Sequence, residues 1–222
     1  VDETKTADTP SIDRADVYCA FAVGLVAAAM KTVSYVVPHW HLGSSDGLVA
    51  SLIFLGYIVY RARRQPEKLD AWGLTTPITP GAAFTALLLL AAGVASLTAL
   101  GHVAAGGIRF EGTYAAHMIN YIPGAFPQQF AMCSVFLMNL EKLPVFQGPW
   151  RLPVIVGLGF GLAHFWTPYL IPGTFIPVQV ILTMPVGFAV AWYFLRFRTI
   201  LPLILSHAIL YVCLNRWVQA YL

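Results

Sequence analysis

The 222-residue chain is 58% hydrophobic and 10% charged, with a formal charge of +3 and a mean hydropathy of +0.71. So apolar a balance excludes an ordinary soluble domain, and the scattered cations include no basic run of the kind that binds nucleic acid. One crossing needs about 20 apolar residues, so the length predicts six to eight spans in an all-α, polytopic transmembrane bundle with no room for a soluble domain.

In chain order, residues 1–16 read as a polar, acid-rich tail, the reverse of a signal peptide's basic start, and 17–222 as a single transmembrane helical domain. Apolar runs bounded by Gly, Pro and charge predict seven spans, at 17–38, 47–60, 81–105, 124–141, 152–168, 174–195 and 199–218. Between the second and third lies the one long polar loop, with Arg61, Arg63, Arg64 and Lys68. The positive-inside rule makes that loop cytoplasmic, and alternation from it places ten cations inside and two, Arg109 and Arg216, outside. The expected topology is N-terminus in and C-terminus out, in a membrane expected to be the bacterial inner membrane. Trp40, Trp150, Trp166, Trp192 and Trp217 fall at span ends, where an aromatic belt sits. Lys31, within the first span, is expected to snorkel or to pair with Asp46.

Three spans bring polar groups to similar depths. Gln128 and Gln129 lie in the fourth, about 6 Å outward of its centre at 1.5 Å per residue. His164 lies at a similar depth in the fifth, on one face with Phe160, and His207 lies near the middle of the seventh with Tyr211 one turn further out. Such residues either line a wet cavity or hydrogen-bond across helices to fix packing, and both readings stay open for each residue alone. Agreement in depth favours an outward-opening cavity. Gly157 and Gly161 form a small-xxx-small face expected to draw the fifth span, with His164, toward the fourth. Cys19, Cys133 and Cys213 lack metal-type spacing and read as buried small hydrophobes.

The segments PQQFAMCSVFL, FGLAH and GFAVAWYFLRFRTILPLILSHAILY resemble the three signature regions of the CPBP intramembrane proteases, the group of the CAAX prenyl endopeptidases and bacteriocin-processing proteins. The resemblance covers about residues 120–215. It implies a Glu-Glu-x-x-x-Arg helix, a Phe-x-x-x-His helix and a His-x-x-x-Asn helix. Phe160, His164 and His207 match, whereas Gln128 and Gln129 stand at the glutamates, Cys133 at the Arg and Tyr211 at the Asn. The implied mechanism uses the glutamates to activate water and His and Asn to stabilise an oxyanion. A glutamine amide can position water but cannot take its proton near neutral pH.

Three functions follow as expectations. The first is a proteolytically impaired CPBP homologue acting as a membrane binding or scaffold protein, with lipid and a transmembrane helix or membrane complex as expected partners. The second is an active endopeptidase with a rebuilt site, in which His164 or His207 acts as base and the Tyr211 hydroxyl donates to the oxyanion. The third is a metal- or cofactor-dependent membrane enzyme using His39, His41, Asp46, His102, His117, His164 and His207, because imidazole suits Zn, Cu and Fe. No spacing among these residues is a specific metal signature, and the cofactor is left unknown.

Overall fold

The computed structural model describes residues 12–37, 45–105, 108, 112–165 and 176–217, and all regular structure among them is helical. In order these are α1 (Arg14–Val36), α2 (Asp46–Arg64), the short α3 (Glu67–Ala71) and α4 (Pro80–Ala105). Then come α5 (Tyr114–Gln129), a π-helix (Phe130–Leu137), the single turn α6 (Met138–Leu140), α7 (Arg151–Phe165), α8 (Ile176–Phe197) and α9 (Leu201–Trp217). Helical structure overlaps each expected span, the fourth being shared between the end of α5, the π-helix and α6. Within α4, Pro80–Val103 has a mean hydropathy of 2.1 with 6% of its apolar window buried, and it is long and apolar enough to cross a membrane by length and composition. Arg151–Leu162 and Leu201–Leu214 are shorter apolar helices.

Local chemistry explains the helix starts. Asp13 caps α1, its Oδ1 accepting from the backbone N–H groups of Ala15 at 3.1 Å and Asp16 at 3.2 Å. Thr79 Oγ1 accepts from Ala82 N at 3.2 Å, and Pro80 occupies the first position of α4, where a missing N–H costs nothing. Arg198 takes a left-handed backbone, φ 52°, and its N–H donates to Phe194 O at 2.8 Å, an αL cap that ends α8 and lets α9 start three residues later.

One helix departs from expectation. The sequence predicts the fourth span at 124–141, but the chain is helical from Tyr114. Pro123, Gly124 and Pro127 read as a boundary, yet the helix runs through them. Pro127 has no N–H to offer the Pro123 carbonyl four residues back. Ser51 Oγ of α2 donates to that carbonyl instead, at 2.5 Å.

The layers follow from pairwise packing: α1 on α2, α2 on α5, α5 on α9, α9 on α4, and α7 on α8, with the π-helix touching α1, α7 and α8. Gly157 was expected to draw α7 toward the fourth span; it faces α8 instead. A Cβ at Gly157 would sit 2.9 Å from the Met184 carbonyl oxygen, and one at Gly187 would sit 2.6 Å from Phe160 Cβ. The two helices approach closely because each places a glycine against the other. The core is aromatic where α2, the α3–α4 loop and the π-helix meet: Phe130 lies 5.0 Å from Phe54 and 5.3 Å from Trp72, both edge-on. Large apolar side chains such as Phe21, Leu25, Leu52, Phe84, Leu87 and Leu162 point outward.

Charge concentrates at one end. Asp13 and Asp16 receive Lys68 and Arg61, with Arg61 Nη2 2.6 Å from Asp13 and Lys68 Nζ 2.6 Å from Asp16. Tyr57 Oη donates to Asp16 at 2.7 Å. Burial pushes the Asp13 carboxyl up, but hydrogen bonds from Lys68 and Arg61 outweigh it and hold the group well below the ordinary 3.8. At the same end Arg198 grips Glu141 with two nitrogens, at 2.8 and 2.5 Å.

Candidate functional site

The site is built where α5 becomes the π-helix. A Cβ on Gly47 would stand 2.7 Å from the Gly124 Cα, so α2 and α5 cross backbone against backbone. This crossing orients the turn of α5 that follows. Consecutive helical residues diverge by about 100°, so one of two adjacent glutamines turns inward and the other outward. Gln129 is the inward one, 1% exposed. Gln128 is exposed, and its Nε2 donates back to Gly124 O at 3.2 Å and to Tyr121 Oη at 3.4 Å.

Gln129 Nε2 lies 2.8 Å from His207 Nδ1 on α9. An amide nitrogen can only donate, so Nδ1 is the acceptor and the ring proton resides on Nε2. The amide orientation is fixed from its other end, where the Cys133 thiol donates to Gln129 Oε1 at 3.8 Å. Cys133 is fully buried. A neutral amide, a neutral thiol and a neutral imidazole thus satisfy one another in a site that would penalise an unpaired charge. Tyr121 closes the outward side. Its ring centroid lies 6.0 Å from that of His207 and stacks on Tyr211 at 3.6 Å and 5°.

The backbone beside this triplet is held by side chains. A π-helix is rare and occurs frequently at functional sites, and here Asn139 Nδ2 donates to Val135 O at 2.8 Å while Ser134 Oγ donates to Trp72 O at 2.7 Å. Asn139 Oδ1 in turn accepts from Asp13 N at 2.7 Å, tying the start of α1 to the π-helix.

Among the five residues anticipated as a site, Gln129 and His207 are in contact, and Tyr211 reaches them through Tyr121. Gln128 is exposed and, like Tyr211, touches this group through Tyr121. His164 lies on α7, but its side chain is outside the described residues, as are His39, His41 and the side chain of Lys31. His102 is exposed on α4, and His117 Nε2 lies 2.6 Å from Arg216. Among the described residues no three His, Cys, Asp or Glu side chains form a group able to hold a metal. Tyr121, Ser51 and Asn139 were not anticipated. Tyr121 sits seven residues, two helical turns, before Gln128 and could have been found on that face; Ser51 and Asn139 had no signal in their own spans.

The helices of the site, from α5 to α6 and α7 to α9, contain no aspartate or glutamate. Asp46, at the start of α2, adjoins Gly47, whose backbone meets that of Gly124 one turn before Gln128. With its Nδ1 engaged by Gln129, His207 can take a proton there only by giving up that bond.

Residues 113–213 match the family described as type II CAAX prenyl endopeptidase Rce1-like. That range contains Gln128, Gln129, His164, His207 and Tyr211, and it agrees with the resemblance to the CPBP group read from the sequence. No curated protein and no solved structure matches the chain.

Proposed function

We propose that this CPBP-type protease homologue is a membrane-embedded protein whose proteolytic site has been converted to a structural one, and that it acts by binding a transmembrane helix or membrane complex. The observation that supports this reading is the Gln129–His207 bond, in which the glutamine is buried and the histidine half-buried. A general base must hold a lone pair toward water; here the amide has none to protonate, and the imidazole lone pair at Nδ1 is directed at the amide. Cys133 in place of a cation belongs to the same change, since a buried carboxylate needs a positive partner and a buried amide does not.

Seven crossings with the N-terminus inside complete the proposal. Its support is the overlap of helical structure with each apolar run, the outward apolar side chains and the ten-to-two cation bias. A rebuilt protease is the second reading, favoured by Asp46 standing next to Gly47, whose backbone meets Gly124 one turn before Gln128, where a carboxylate could serve as base.

The deciding experiment is a single-turnover assay of purified protein with helical and prenylated peptides. No cleavage above background is expected, since losing a general base costs about 100- to 10,000-fold. Cleavage abolished by Asp46→Asn or His207→Ala would establish the rebuilt protease instead.

A further inference from the structure

The charged end of the bundle contains a cavity of about 500 Å³ between the 141–150 loop, the start of α7 and the end of α8, lined by Glu141, Phe146, Gln147, Pro149, Leu152 and Leu195. Its walls are of two kinds. Phe146, Pro149, Leu152 and Leu195 make an apolar floor, while Arg151 adjoins Gly148 of the lining and Arg198 pairs with Glu141 of the lining. Arg151 flanks the loop directly: a Cβ at Gly148 would lie 3.7 Å from its Cγ and Cδ. Arg151 Nη1 donates to Val145 O at 3.2 Å, which spends one of its five N–H donors. Arg151 is exposed, and Glu141, the acid of the lining, is paired with Arg198 and not with Arg151.

Glu141 is the one acid in the lining, and Arg198 neutralises it through the two-nitrogen contact. The rim is therefore net cationic over an apolar floor. Trp150, beside the cavity, is 58% exposed and stacks on Phe188, the placement of a side chain at a membrane interface.

We infer that this cavity seats one anionic phospholipid, its phosphate against Arg151 and its glycerol and upper acyl chain against Phe146, Leu152 and Leu195. Arginine suits the role because its planar fork binds two phosphate oxygens at once. The volume lies within the range of small-molecule sites, and the opening at the charged end is where the headgroups of the inner leaflet would lie. The inference rests on the membrane placement proposed above, and not on the state of the Gln129 site, so lipid retention can be read whether or not any peptide is cleaved.

The test is native mass spectrometry of the purified protein exchanged into mixed phosphatidylglycerol and phosphatidylcholine nanodiscs, with thermal melting as the control for folding. One phosphatidylglycerol should be retained in preference to phosphatidylcholine. Arg151→Gln should reduce that retention by about fivefold, the effect of one cation near a charged surface, and Arg63→Gln on α2 should leave it unchanged. Gln147→Trp, which fills the cavity from an exposed position without altering charge, should also displace the lipid. Equal retention of both lipids would overturn the inference. So would equal loss with Arg63→Gln, or displacement by inorganic phosphate, which would make this a site for small anions.

Discussion

Gln129 and His207 meet side chain to side chain at 2.8 Å between α5 and α9, and the amide's other end takes the Cys133 thiol. Replacing Gln129 with Ala therefore removes one partner from His207 and one from the buried Cys133 thiol, and leaves a void. The expected loss is about 1–3 kcal/mol for the two lost hydrogen bonds, measured as a drop in melting temperature in detergent. Gln128→Ala, on the exposed side, should leave melting nearly unchanged. Equal effects would mean that the buried bond contributes no more than a surface contact.

Restoring carboxylates should not restore chemistry. Gln128→Glu with Gln129→Glu introduces charge beside a fully buried Cys133, and a glutamate at 129 demands a proton on His207 Nδ1, the opposite tautomer. The double variant is expected to be less stable than the parent and inactive on helical peptides. The quadruple variant with Cys133→Arg and Tyr211→Asn is expected to regain part of the stability, because it supplies the cation and opens the Tyr121 stack. Higher stability of the double variant would refute the charge argument.

The α2–α5 crossing depends on the absence of side chains. Gly47→Val forces atoms to within 2.7 Å of the Gly124 backbone, and overpacking of this kind costs about 1–3 kcal/mol. Gly56→Val, on the same helix with nothing near its Cβ position, is the matched control and should be tolerated.

Asp13 gives the fold a dependence on acid. Its folded carboxyl lies below the ordinary 3.8 because Lys68 and Arg61 bind the charged form more than burial opposes it. The folded state thus binds fewer protons than the unfolded one, and stability falls as pH falls. The contribution is fully present above pH 3.8 and is lost as pH drops from there through the folded value. Asn also caps a helix, so Asp13→Asn removes charge and keeps the cap. Its melting temperature should be lower than the parent's at pH 7, and the gap should narrow below about pH 4. A gap that stays constant with pH would exclude the ion pairs as its source.

Orientation is open to chemical labelling. A cysteine at Glu67 should be shielded from a membrane-impermeant maleimide in intact cells and one at Gly112 should react, since the cation bias puts the α2–α4 loop inside. The reverse pattern would invert the topology and move the phospholipid cavity to the other leaflet.

Composition and punctuation were enough to read the helices, because an apolar run between Gly, Pro and charge has few other ways to satisfy its backbone away from water. They also made the Gln pair and His207 legible, since polar groups stand out against an apolar span. Helical spacing said that one glutamine faces in and the other out, but which one depends on where Gly47 meets Gly124, a contact between residues 77 positions apart. Passage of α5 through Pro127 was likewise hidden, because the replacement donor, Ser51, comes from another helix. The face of Gly157 misled for the same reason: a small residue announces a close approach without naming the neighbour, and here it is α8. Chemistry within a helix belongs to the sequence of that helix. Which helices share a hydrogen bond is settled by packing, where the removal of a single Cβ decides how near two backbones can come.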